Sequence, residues 1–142
     1  MPEVCVDASL VLALLLTETH SERAAARWQS WRSQGITPIG PPILYAEVTS
    51  VLREAVYRGR ISPHEGEEAF DTFCAFPIKV LDLPDLHRLA WGLARQYNQP
   101  RVYDAMYLAA AQAVQCELWT GDRRLVNAVN RPWVRWIGDY LG

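Results

Sequence analysis

The chain has 142 residues, half of them apolar, with a formal net charge of −2 and a pI near 5.9. That length and apolar share suit one domain, residues 1–142, with a real core, and exclude a disordered chain. The charge excludes the strongly basic surface of a tight, nonspecific nucleic-acid binder, but not a nuclease that meets its substrate through a metal.

In chain order, Val4-Cys5-Val6 predicts a short buried strand, and Leu10 to Leu16 predicts a helix after the interruption Asp7-Ala8-Ser9. Thr19-His20-Ser21-Glu22 fits a capping box, so a second helix should run to about Gln34 and stop at Gly35. Ile36 to Ile39 is a weak strand, followed by a Gly-Pro-Pro turn and a helix from Ile43 to Arg58 that ends at Gly59. Ser62-Pro63-His64-Glu65 starts another helix, running to about Phe76. Ile78 to Leu83 reads as a strand and Asp85 to Tyr97 as a helix. Tyr103 to Gln115 is apolar almost all round and should be a buried helix. Glu117 to Thr120 is a strand, Asp122 to Ala128 a short helix, and Val134 to Ile137 a last strand. Strands alternating with helices predict an α/β domain with a mainly parallel sheet.

Cys5, Cys74 and Cys116 are far apart, odd in number and set in apolar segments, which predicts buried free thiols in a reducing compartment, neither a zinc site nor a disulfide framework. The start Met1-Pro2-Glu3-Val4 lacks the basic residues of a signal peptide, and the longest apolar run, Leu10 to Leu16, is far short of the ~20 residues that span a bilayer. The expected location is therefore the cytoplasm.

Four acids stand where acids are costly. Asp7 ends an apolar strand and precedes an apolar helix; it can cap that helix, but Ser9 can do the same and free Asp7 for a ligand. Glu47 lies on the flank of the helical stripe Leu44, Val48, Val51, Leu52 and Ala55, whereas Glu54 is an ordinary surface acid. Asp104 stands in the first turn of the most apolar helix, a position the helix dipole also favours. Asp122 follows Thr120-Gly121 and opens a short helix, where a cap is the competing role. Each acid alone is ambiguous. Together, four separate elements offer carboxylates at strand ends or helix starts, where functional groups of parallel sheets gather. Carboxylate oxygens without soft Cys or His neighbours suit a hard cation, Mg²⁺ or Mn²⁺.

These residues and their neighbours resemble the PIN-domain nucleases, and specifically the VapC-type toxins of toxin–antitoxin pairs. The matching pieces are Val6-Asp7-Ala8-Ser9, Pro42-Ile43-Leu44-Tyr45-Ala46-Glu47-Val48, Tyr103-Asp104-Ala105-Met106-Tyr107-Leu108-Ala109 and Thr120-Gly121-Asp122-Arg123-Arg124-Leu125, in family order across nearly the whole chain. The resemblance implies a three-layer sandwich around a mainly parallel five-stranded sheet. It implies that Asp7, Glu47, Asp104 and Asp122 form a catalytic metal site with Ser9 and Thr120 as polar supports at its edge. It further implies hydrolytic cleavage of RNA to 5′-phosphate and 3′-hydroxyl ends, a VapB-type antitoxin that inserts a side chain into the acidic pocket, and a homodimer.

Arg123 and Arg124, next to Asp122, are better candidates for RNA phosphate contacts than Arg58 and Arg60. Trp28 and Trp31 are expected in packing or at a protein interface, and His20, His64 and His87 carry no catalytic role. Two other readings compete. A phosphatase with a nucleophilic Asp7 lacks the second Asp of the DxD pattern, and Lys79 is the only lysine available to it. A catalytically silent PIN-like module that only binds RNA or protein would not need all four acids.

Overall fold

A computed structural model describes residues 2–142. Its strands are β1 (Glu3–Val6), β2 (Thr37–Gly40), β3 (Lys79–Val80), β4 (Leu118–Thr120) and β5 (Val134–Trp136). The helices are α1 (Ala8–Leu15), α2 (Ser21–Ser33), α3 (Ile43–Tyr57), α4 (Pro63–Ala75), α5 (Leu86–Gln96), α6 (Tyr103–Val114) and α7 (Arg123–Val129), followed by a 3₁₀ turn at Ile137–Asp139. The strands form one sheet in the order β3-β2-β1-β4-β5, and every pairing is parallel. The expected three-layer α/β arrangement is present.

Strand alternation sorts the core into two layers. Cys5 is in register with Leu118, and its thiol donates to the Tyr107 carbonyl of α6. Val6 is in register with Trp119, which packs edge-on against Trp31 of α2. One face of the sheet therefore meets α6, and the other meets the α2 side. The α6 helix is buried through Ala105, Tyr107, Leu108, Ala109, Ala110 and Ala111 because it lies across β1, β2 and β4 with α5 behind it.

Caps and stops follow the sequence where neighbours leave them alone. Ser62 and Glu65 close a full capping box on α4, and α2 and α3 end just before Gly35 and Gly59. The capping box expected at Thr19 does not form. Instead the Ser21 hydroxyl donates to the Leu16 carbonyl (2.8 Å) and accepts from the Glu18 amide (2.8 Å), so it closes the loop between α1 and α2. The expected strand Ile78–Leu83 shrinks to two exposed residues at the sheet edge. Its neighbour β2 ends at Gly40, and Pro41 and Pro42 then offer no N–H to extend the pairing.

Two further expectations change, at Cys74 and Val51, and the packing role expected for Trp28 and Trp31 holds. Cys74 is exposed; only Cys5 is fully buried, and burial holds its thiol well above the ordinary range. Val51 leaves the buried stripe of α3, which runs through Leu44, Val48, Leu52 and Ala55. Trp28 and Trp31 are core residues, whereas Trp91 is 70% exposed. No helix among the described residues is long and apolar enough to cross a membrane.

Candidate metal centre

Asp7 follows the last residue of β1, the central strand, and is only 5% exposed. Its Oδ1 accepts from the Ser9 hydroxyl (2.7 Å) and from the Leu10 amide (3.1 Å). Its Oδ2 accepts from the Thr120 hydroxyl, which arrives from the end of β4. Both hydroxyls are themselves oriented by backbone amides, Ser9 by Gly121 N–H (2.8 Å) and Thr120 by Asp122 N–H (2.9 Å). Gly121 keeps this approach open, since a Cβ would stand 3.2 Å from the Ser9 hydroxyl and press on it. Asp7 thus caps α1 itself, and Ser9 supports Asp7 where it was expected to substitute for it.

Despite three hydrogen bonds that favour the anion, burial and then the nearby Asp104 push the Asp7 carboxyl up to about 6. No ion pair involves Asp7 among the described residues. A buried carboxylate held by donors and facing no protein cation is an arrangement suited to a cation from solution.

The other three acids border the same end of the sheet. Asp104, in the first turn of α6, has its carboxyl raised by burial and by the charge of Asp122, with Arg124 opposing. Asp122 caps α7 through the Leu125 amide (3.3 Å). The Arg124 guanidinium reaches Asp122 (3.4 Å) and Asp104 (3.9 Å), but it is 77% exposed, so it offsets charge without filling the site. Glu47, in the second turn of α3, accepts from the Tyr107 hydroxyl through Oε1 (2.6 Å). Burial and this hydrogen bond hold the Tyr107 hydroxyl far above its ordinary range, so it stays a donor.

The structure brings the four acids to one rim, but it does not gather them into a finished cage. No three His, Cys, Asp or Glu side chains among the described residues stand close enough to enclose an ion. The donor set, carboxylates with two hydroxyls and no thiol or imidazole, fits Mg²⁺ or Mn²⁺, whose shells are completed by water and substrate phosphate. Of the arginines, Arg124 lies across the acids, while Arg123 stacks over Trp136 (4.7 Å to the ring centre). Lys79 pairs with Glu3 at the start of β1 (3.5 Å), the far end of that strand from Asp7, so the phosphatase reading loses its lysine.

Tyr107 is the residue that sequence reasoning missed. A signal was present: it stands three residues after Asp104 and so shares its helix face.

The PIN domain family profile matches residues 4–130. The chain is 32% identical over 125 residues to Ribonuclease VapC12 of Mycobacterium tuberculosis, covering 88% of this chain and 91% of that one. It is 35% identical over 136 residues to Ribonuclease VapC1 of the same organism, covering 93% and 95%. In fold it is similar to the crystal structure of VapBC2 from Rickettsia felis bound to a DNA fragment from their promoter. There the TM-score is 0.68 at 12% identity, over 94% of this chain and 96% of the other.

Proposed function

The chain belongs to the PIN-domain family, and from that premise we propose that it is a divalent-metal-dependent endoribonuclease, the toxin of a toxin–antitoxin pair. The observation that carries the proposal is Asp7: a buried carboxylate at the end of the central strand, fixed by three donors and paired with no protein cation. The relatives are named VapC ribonucleases, which supports RNA as the substrate. The fold shared with a VapBC assembly supports a VapB-type antitoxin as the partner. The reading places residues 1–142 in the cytoplasm as one PIN-like unit that forms a homodimer.

In this reading Asp7, Glu47, Asp104 and Asp122 supply carboxylate oxygens to Mg²⁺ or Mn²⁺. Bound there, such an ion lowers the pKa of water and offsets charge that builds on the phosphate and the leaving 3′-oxygen. Ser9 and Thr120 hold the Asp7 carboxylate in one orientation, so no reorganisation is needed during reaction. Tyr107 occupies Oε1 of Glu47 and turns the other oxygen free for a ligand or a proton. Glu47 or Asp122 takes the proton from the attacking water at a carboxylate oxygen. Arg124 contacts RNA phosphate, with Arg123, seated over the Trp136 ring in the same turn, as the second candidate.

The test is incubation with total RNA, with and without chelator, followed by mapping of the ends. The expected result is cleavage that chelator stops, leaving 5′-phosphates, with Asp7→Asn slower by on the order of 10³-fold. Cleavage by Asp7→Asn at the parent rate overturns the assignment. RNA binding with no metal-dependent cutting would instead favour a silent binding module.

A further inference from the structure

Beside the acidic rim lies a cavity of about 400 Å³ that the cleavage chemistry does not use. It is lined by Leu12 and Ala13 of α1 and by Glu18, Thr19 and His20 from the loop before α2. Ser9 and Gly121, the same pair that positions Asp7, complete the lining. We infer that this cavity is a nucleobase subsite, in which the α1–α2 loop selects the base next to the cleaved phosphate. The inference rests on the ribonuclease reading for its substrate and on the geometry below for its place.

Three observations point to a base. The first is position: Ser9, whose hydroxyl contacts Asp7 at 2.7 Å, also lines the cavity. A nucleotide whose phosphate meets the acids therefore has its base within reach of this space. The second is composition. A lining that combines the apolar residues Leu12 and Ala13 with the polar residues Glu18, Thr19 and His20 suits a flat heterocycle with polar edges, and the volume lies in the range of small-ligand sites.

The third is rigidity. The Ser21 hydroxyl ties the loop to Leu16 and Glu18. His20 stands edge-on to Trp136 (5.3 Å), and Trp136 carries Arg123 over its ring (4.7 Å). Gly138 leaves room for that ring, since a Cβ there would meet it at 2.3 Å. His20 is therefore held by an edge contact with Trp136, and Glu18 and Thr19 line the cavity from the same loop. A carboxylate accepts from exocyclic amino groups, so the subsite favours bases that carry one over uracil.

Two measurements test this. In the first, four oligoribonucleotides that differ only at the base beside the cleaved bond are compared by kcat/KM. The wild-type protein is expected to separate best from worst by about 10-fold or more, with uracil poorest. Glu18→Gln and His20→Ala should each bring that ratio to within about 3-fold. A ratio held by both variants, or no discrimination by a wild-type protein that cuts RNA, overturns the subsite.

The second measurement needs no cleavage. Metal-free Asp7→Asn protein is titrated with each nucleoside 5′-monophosphate while the His20 imidazole resonances are followed. A base-dependent shift supports the subsite even if the protein cuts nothing. No shift with any of the four overturns it even if the protein is a ribonuclease.

Discussion

Two consecutive residues of β4 stand in two solutions to one problem. Thr120 donates to Asp7, a buried anion with no protein cation beside it. Trp119 packs under Arg27, a half-buried cation with no carboxylate beside it among the described residues. The Arg27 guanidinium lies over three rings, Trp119 (4.5 Å), Tyr140 (4.9 Å) and Trp31 (5.1 Å), and its Nε is buried with no hydrogen-bond partner. Aromatic faces carry the negative part of a quadrupole, so that charge is answered inside the fold. Asp7 is held by two hydroxyls and one amide that orient it without neutralising it. A charge the fold satisfies is structural, and a charge the fold only orients is available to a ligand.

The largest way to break the comparison is at Trp119. Trp119→Ala removes a buried ring that supports Trp31, Arg27 and Tyr140 together, and should cost about 3–5 kcal/mol in denaturant unfolding. A cost below about 1 kcal/mol would mean the cluster is not part of the core.

Next comes pH. The folded chain holds the Asp7 proton up to about pH 6, above the ordinary aspartate value of 3.8. Below pH 4 both folded and unfolded chains are protonated there. As pH rises from 4 to 6 the unfolded chain releases a proton that the folded chain keeps, so folding loses stability. Above 6 the loss is complete, on the order of 3 kcal/mol for a two-unit shift. In chelator, thermal melts of the parent should therefore fall across this window. Asp7→Asn should flatten the fall and melt a few degrees higher at pH 8. Millimolar Mn²⁺ should recover the loss in the parent and not in the variant. A parent melt that rises from pH 4 to 7 in chelator, with Asp7→Asn no different, would remove the strain assigned to this carboxylate.

Arg27→Met sharpens the other side. It keeps the packed stem and loses the charge, at an expected cost of about 1–2 kcal/mol that does not change between pH 4 and 8, because a guanidinium stays charged throughout. A pH-dependent cost would reveal a carboxylate partner. The smallest effect belongs to Arg124→Ala. The residue is mostly exposed, so its loss should move stability by no more than about 0.5 kcal/mol, while weakening RNA binding and its salt dependence. A loss of several kcal/mol would show that Arg124 is a structural counter-ion after all.

Much of the scaffold was legible along the chain. The helix α3 was expected over Ile43–Arg58 and spans Ile43–Tyr57, and α6 was expected over Tyr103–Gln115 and spans Tyr103–Val114. Periodicity, prolines and caps act within one or two turns, so a window of sequence contains their cause. The same window misled at Thr19: the helix starts one residue later, with His20 at the cap position, and the Ser21 hydroxyl closes the preceding loop. It misled at Ile78–Leu83 because strand length is set by the neighbour, and β2 ends first.

For the site, the sequence by itself determined which four acids stand out and that their oxygens suit a hard cation. Their type, their apolar surroundings and their place at element ends are local facts. Only the tertiary structure decided that Ser9 and Thr120, 111 positions apart, share the Asp7 carboxylate, that Tyr107 holds Glu47 from 60 positions away, and that Arg124 spans Asp104 and Asp122. Those contacts follow from strand order and helix packing, which bring distant segments within 4 Å. Burial, the cause of the raised Asp7 carboxyl, exists only once those segments have closed over it.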